Sequence, residues 1–235
     1  MDYTEESNGK KISIAEGGDI YIRYAVKTHF IKPGEDYIDI IKKYVSGIYM
    51  NGDIVSISEK IIAICQERLV RREDIKIGVL ARFLSRFACR KNRGGYGVGM
   101  PINMQYAINK VGRSRVLLAS LLGGFCKLFG IKGVFYRIVG REVAGLDGFY
   151  DGAWEEYRDV GIEIPNDPCG VCREIREKLG ISCMIVDAND FGQVILGKSD
   201  DIELDDRMLT AIIRDNPAGQ GKQCTPLILI RKYEE

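Results

Sequence analysis

Apolar positions recur along this chain with two periods, and the alternation between them predicts its elements. Ile20 to Val26, rich in β-branched and aromatic residues, predicts a first strand. Pro33-Gly34 then turns the chain, and Asp36 is placed to cap a helix with Ile38, Ile41 and Val45 on one face. Gly47 and Asn51-Gly52 end that helix. Asp53 to Ile57 predicts a second strand, which turns at Ser58-Glu59-Lys60 into the apolar run Ile61 to Ile64. Ile77, Leu80, Leu84 and Phe87 give Ile75 to Cys89 a helical period. Val116 to Phe129 carries a broad stripe of Leu117, Leu118, Leu121, Leu122, Phe125, Leu128 and Phe129, and is expected to be the central buried helix. Gly123-Gly124 inside it costs about 1 kcal/mol per glycine relative to alanine, which implies a closely packed neighbour. Gly133 to Gly140 reads as a strand, and Asp167-Pro168 starts a helix that runs to Leu179. Ile185 to Gly192 has the form of a buried strand feeding a tight loop, followed by a short strand from Val194 to Leu196. Leu204 to Arg214 predicts a helix with Met208, Leu209, Ile212 and Ile213 inward, stopped by Asn216-Pro217. Pro226 to Arg231 is a final strand. No internal repeat, low-complexity tract or linker interrupts the pattern.

Composition narrows the class. With 46% hydrophobic and 29% charged residues, the 235-residue chain is an ordinary globular protein able to bury a substantial core. A net charge of +1 removes any global electrostatic argument for a nucleic-acid or membrane partner, so an anion site must be local. The longest apolar run, Val116 to Phe125, is too short and too glycine-rich to span a bilayer. Met1 to Lys11 is polar and acidic, is expected to be a frayed tail, and resembles neither a signal nor a transit peptide. The odd number of scattered cysteines, seven, fits small apolar fillers in a reducing cytoplasm. Cys169 and Cys172 stand in a first helical turn, where the helix dipole would lower a thiolate pKa, although a lone CxxC is weak evidence for redox or metal use.

Candidate chemistry concentrates in a few stretches. Asp187-Ala-Asn-Asp190 crowds carboxylate and amide oxygens at an expected strand end, which suits Mg²⁺ or Mn²⁺ holding a phosphate; an Asx turn without ligand is the alternative. Val143 to Gly148 repeats that arrangement and offers Asp147 as a second acid, equally readable as a turn former. Lys60, at a strand-to-helix junction, is a candidate phosphate partner or a solvated lysine. Arg82, Arg86 and Arg90 fall four apart and form a basic stripe, either a solvated face or an RNA or phosphate contact. The glycine run 94–101 lacks a Gly-Lys-Ser/Thr ending and is no Walker A loop. His29 is the single histidine, without a partner pattern for a zinc site or a Ser-His-Asp triad.

Three segments together resemble the coenzyme F420-0:γ-glutamyl ligase family. They are Ile31-Lys-Pro-Gly-Glu-Asp36 through Gly52-Asp-Ile-Val-Ser-Ile-Ser-Glu-Lys60; Val143-Ala-Gly-Leu-Asp147-Gly148 with Ile164-Pro-Asn-Asp-Pro168; and Val186-Asp187-Ala188-Asn189 with Gly219-Gln220-Gly221 and Pro226 to Arg231. The resemblance implies an α+β fold of mixed β-sheets with packed helices, a single domain over 12–235 with a sub-boundary allowed near 140–165, and an intertwined homodimer. It implies Mg²⁺ or Mn²⁺ on Asp147 and Asp187, with Gln220 as third ligand or nucleotide contact. Thr28, His29, Ser58, Tyr150, Gly219, Gln220 and Gly221 would stand on the nucleotide side, and Lys60 and Lys222 would act on phosphate. GTP or ATP would be cosubstrate, with potassium as an accessory ion. The reaction implied is cytoplasmic: an amino acid, L-glutamate in the family, is joined to a small carboxylate acceptor through an acyl phosphate. A folate-type acceptor and a non-catalytic nucleotide- or RNA-binding module using Arg82, Arg86 and Arg90 are the alternatives.

This sequence departs from the family at several of these positions. Ala188 replaces a threonine, Lys27-Thr28-His29-Phe30 replaces a Leu-Pro-rich loop, Ile64 replaces a nucleotide-contacting lysine, and Tyr150 replaces an asparagine. Metal binding therefore survives in the reading better than GTP specificity or the F420 acceptor.

Overall fold

A computed structural model describes residues 3–4, 12–88, 91–92, 95–149, 155–189, 192–219 and 223–233. In chain order the strands begin with β1 (Tyr3–Thr4), β2 (Ser13–Glu16), β3 (Asp19–Val26), β4 (Ile54–Ser58), β5 (Leu69–Arg71), β6 (Lys91–Asn92) and β7 (Gly95–Tyr96). They continue with β8 (Asp147–Gly148), β9 (Val160–Ile162), β10 (Cys183–Asn189), β11 (Gly192–Lys198) and β12 (Leu227–Lys232). The helices begin with α1 (Tyr37–Tyr44), α2 (Glu59–Cys65), α3 (Val79–Ser85), α4 (Pro101–Val111) and α5 (Arg113–Leu128). Then follow α6 (Val134–Val139), α7 (Arg141–Ala144), α8 (Pro168–Leu179) and α9 (Asp206–Ile212). The class is α+β. The chain folds into two compact units: residues 1–68 with 165–235, and residues 69–164, which are inserted between them.

The first unit is built on a mixed sheet in the order β1-β3-β12-β4-β10-β11, with β2 added on β3. Only β4 and β10 run parallel; the other pairs are antiparallel. Because side chains alternate along a strand, each central strand feeds two cores. Val55, Ile57, Cys183, Ile185, Leu227 and Leu229 face one side, where they bury with Ile38, Ile41, Val45, Val171 and Ile175 from α1 and α8. Ile54, Met184, Val186, Ile228 and Ile230 face the other, against Leu209 and Ile212 of α9. Double-sided burial is why these strands read as continuous apolar runs rather than as alternation. Each such side chain contributes about 1.5–3 kcal/mol when fully buried.

Local chemistry fixes the helix starts, at Asp36 and Asp167 as the sequence predicts and at Asp205 without such an expectation. Asp36 accepts from the Ile38 N–H at 2.7 Å, Asp205 accepts from Met208 N at 2.7 Å, and Asp167 accepts from Gly170 N at 3.0 Å ahead of Pro168. Gly197 of β11 lies under the first turn of α8: a Cβ there would stand 2.6 Å from Cys169 N and from Pro168 C. Only glycine permits that approach. At the opposite edge of the core, Arg231 clamps Asp53 through two hydrogen bonds of 2.8 and 2.6 Å and also donates to Ile48 O.

The inserted unit is helical with a three-stranded antiparallel sheet, β5-β9-β8. Its core gathers Ala81, Ile102, Met104, Tyr106, Ala107, Val116, Ala119, Val139, Val143 and Phe149. Several expectations are corrected here. The helix expected over Ile75 to Cys89 is the shorter α3, because Gly78 interrupts the pattern and serves as N-cap. Gly133 to Gly140 is not a strand but α6, bounded by two glycines at positive φ; among the described residues no strand pairs with this segment, and α6 packs on α5. Helix α4, led by Pro101, occupies a stretch for which the sequence pattern predicted no element. Val116 to Phe129 is helical as expected, yet only Val116 and Ala119 of α5 are buried, and the stripe from Leu117 to Phe129 is exposed. The close neighbour expected at its glycines is Phe135, whose Cβ and N would lie 3.3 Å from a Cβ on Gly123; Gly124 has none within 4 Å.

Candidate functional site

The sheet register gathers several candidate residues at one end of the first unit. Val26 is paired with Leu227, Leu227 with Ile57, and Val186 with Ser58. The segments that leave β3, β4 and β10, and the one that enters β12, therefore emerge together. Thr28 N donates to Cys224 O at 2.8 Å and Ser58 N to Pro226 O at 2.9 Å, which locks these segments side by side. Thr225 Oγ1 donates to Ala218 O at 2.8 Å and ties in the loop that carries Gly219. Gly219 itself needs its positive φ for the turn that returns its N–H to Asn216 O at 2.9 Å. Thr28, His29, Ser58, Lys60, Asp187 and Gly219 thus share one end of one sheet, at the carboxyl ends of its parallel pair, where open sheets commonly present their ligand crevice.

Thr28 is buried and turns its hydroxyl to His29 O at 2.9 Å, a backbone-shaping role. His29 is held on both ring nitrogens: Nδ1 lies 2.8 Å from the Tyr44 hydroxyl and Nε2 2.7 Å from Glu35 Oε2. Glu35 also accepts from Lys32 N at 2.6 Å. Burial works to raise the Glu35 carboxyl, but the Lys32 N–H and the His29 hydrogen bond and charge outweigh it and hold the group below its ordinary value. The nearby Cys65 thiol is pushed up to about 12, by burial first and then by the Glu35 and Asp36 carboxylates. Neither Tyr44 nor Glu35 was distinguishable in sequence as a partner of His29. The only signal was six-residue proximity across the Pro33-Gly34 turn.

Ser58 is the N-cap residue of α2 without a side-chain capping bond, and Lys60 follows, half-buried, in the first turn. Asp187 is also half-buried, but it sits within β10, paired with Val194, rather than at a strand end: β10 and β11 form a hairpin closed between Asn189 and Gly192. It falls on the face that carries Cys183 and Ile185. Asp147 belongs to the inserted unit and lies inside the two-residue strand β8, opposite Ile162, preceded by helix α7 instead of the expected strand. Gly148 anchors it there, since a Cβ would meet Val160 O at 2.2 Å. Tyr150, Gln220, Gly221 and Lys222 lie outside the described residues, as do Arg90 and Arg93. Arg82 is on α3 and Arg86 is its C-cap, both exposed.

Among the described residues no three His, Cys, Asp or Glu side chains cluster as a metal shell. A single half-buried carboxylate such as Asp187 nevertheless suits Mg²⁺, which is commonly bound through one or two carboxylates with water and phosphate completing its octahedron. Within the CxxC pair, Cys172 is not an activated thiol. Cys172 is buried, and its hydrogen bond with Cys183, followed by burial, raises its pKa, the reverse of the lowering expected from the helix dipole.

The opposite end of the same sheet holds a cleft of about 360 Å³ lined by Asp19, Asp53, Asp201, Glu203 and Lys232 among others. Its charges are largely committed to one another: Asp201 accepts from Ser182 at 2.6 Å and meets Arg176 at 3.1 Å, and Lys232 meets Asp19 at 2.8 Å. That cleft carries structure, and the ligand candidates are at the other end.

Residues 25–120 match the family model described as F420-0:Gamma-glutamyl ligase. The matched segment contains Thr28, His29, Ser58 and Lys60 and ends before Asp147 and Asp187. No curated protein matches the chain.

Proposed function

We propose that this protein is a metal- and nucleotide-dependent amide ligase that joins an amino acid, L-glutamate in the first instance, to an acceptor carboxylate through an acyl phosphate. The observation that carries the reading is the convergence of Thr28, Ser58, Lys60 and Asp187 at one sheet end, three of them within the family-matched segment. Lys60, and Lys222 from the loop after Gly219, bind and neutralise the transferred phosphoryl group; the backbone around Thr28, Ser58 and Gly219 orients the nucleotide. Asp187 holds Mg²⁺ or Mn²⁺, with Gln220 as a further candidate ligand; when bound, the ion offsets charge on the phosphates. His29, fixed by Tyr44 and Glu35, is a positioning residue for the segment 27–36.

The chemistry balances simply. A carboxylate oxygen of the acceptor attacks the γ-phosphorus, and the nucleoside diphosphate leaves. The amine nitrogen then attacks the acyl carbon, phosphate departs with the original carboxylate oxygen, and the amine proton goes to solvent. The family's homodimer and a cytoplasmic location belong to the same proposal. Purified protein supplied with ¹⁸O-labelled acceptor, glutamate and GTP or ATP is expected to place label in inorganic phosphate, and hydroxylamine in place of glutamate should trap a hydroxamate. Cleavage to monophosphate and pyrophosphate without label in phosphate would overturn it.

A further inference from the structure

The overall net charge of +1 conceals a segregation. Every charged residue from Lys76 to Arg141 is a lysine or arginine, so the rest of the chain is correspondingly acidic. Within that basic stretch lies α5, whose outward stripe is apolar: Leu121 is 72% exposed, Phe125 60%, Leu128 83% and Phe129 68%, with Leu117, Leu118, Leu122 and Ile131 also exposed. At the 150–250 Å² that an aromatic side chain can bury, exposures of this size sum to on the order of 1,000 Å² of apolar surface. The largest patch on a typical monomer is about 300–600 Å². Arg113 and Lys127 at the two ends of α5, and Arg82 and Arg86 of the same unit, are exposed and form no ion pair among the described residues.

We propose that the α5 face of the inserted unit docks on an anionic lipid bilayer, its leucines and phenylalanines entering the boundary between headgroups and acyl chains while the arginines and lysines meet lipid phosphates. An amphipathic helix with Leu and Phe on one side and only cations among its charges is the form that lies in a membrane interface. No described helix is long and apolar enough to cross a membrane, so the contact is peripheral. A second copy of the chain is a poorer occupant. In a two-fold contact the same face meets itself, and the cations beside it would be brought together with no acid within 75–141 to pair them. RNA would satisfy the cations, but it offers nothing to the aliphatic leucines that make up much of the stripe.

Full-length protein sedimented with vesicles of phosphatidylcholine containing about one-third phosphatidylglycerol is expected to pellet at low salt and to stay in solution with pure phosphatidylcholine. Removing charge by Arg113→Gln or Lys127→Gln should weaken binding about fivefold each, and Leu121→Ser with Phe125→Ser should abolish it. The melting temperature of these surface variants should not change, which separates docking from folding. Failure of the wild type to pellet, equal binding to both vesicles, or full binding by the Leu121→Ser/Phe125→Ser variant overturns the proposal. So does a protein that ignores vesicles but binds RNA, or that forms a dimer which the same double variant dissociates.

Discussion

The two units spend their apolar residues differently. In the first, strands β4, β10 and β12 bury both faces, and Val55, Ile57, Ile185, Leu209 and Leu229 are almost wholly withdrawn from water. In the inserted unit, the leucine-rich helix α5 turns its leucines outward. The contrast teaches that an apolar stripe reports a surface that needs covering, while the identity of the cover is a separate fact. A strand buried on both faces has its cover in the adjacent layers. The α5 stripe has no such cover among the described residues of its own unit.

The contrast can be broken by mutation. The largest effect is expected from the charged clamp of the first unit: Asp53→Ala leaves Arg231 without its carboxylate partner and should cost about 3–5 kcal/mol, read by urea unfolding. Retention of wild-type stability would mean the clamp adds nothing. Leu209→Ala, in the α9 core, should cost about 2–5 kcal/mol by cavity formation. Gly197→Ala should follow at about 1–3 kcal/mol, because its Cβ meets backbone of α8 rather than a movable side chain. By contrast, Leu121→Ala on α5 should change stability by no more than about 0.5 kcal/mol. A loss there as large as at Leu209 would show that the two leucines are buried alike.

A smaller effect comes from pH. Glu35 is held below the ordinary glutamate value of 4.5, so below that value the unfolded chain binds the proton more readily than the folded one. Its contribution to stability is therefore complete above about pH 4.5 and lost as pH falls through the depressed folded value. Thermal melts of wild type and Glu35→Gln should converge on acidification. Curves that stay parallel down to the acid limb would contradict the arrangement with His29 and Lys32.

Much of the first unit was legible in sequence, because β-branched runs bounded by Asp, Gly and Pro reported strands and caps directly: Asp36 and Asp167 both bond the N–H groups of their helices. The chain's return to the same sheet through β10 to β12 was not legible, since pairing Val186 with Ser58 is a long-range fact. In the inserted unit local propensity misled. Val134 to Val139 is β-branched enough to suggest a strand, but it folds as α6 against α5. Pro101 at a first helical turn could have announced α4. At the candidate site, Lys60 and Asp187 were readable as residue types near turns, whereas the His29-Glu35-Tyr44 network depends on α1 packing back beside the end of β3.

The central claim is that nucleotide phosphate is bound at the Ser58–Lys60 end of the first unit's sheet and not in the acidic cleft at its other end. Titration of GTP and of ATP, each with Mg²⁺, into wild type, Lys60→Ala and Glu203→Gln measures this directly by calorimetry. Lys60→Ala should weaken binding at least tenfold, a loss of about 1.4 kcal/mol, while Glu203→Gln should bind as wild type does. Unchanged binding by Lys60→Ala, or a comparable loss in Glu203→Gln, would contradict the account.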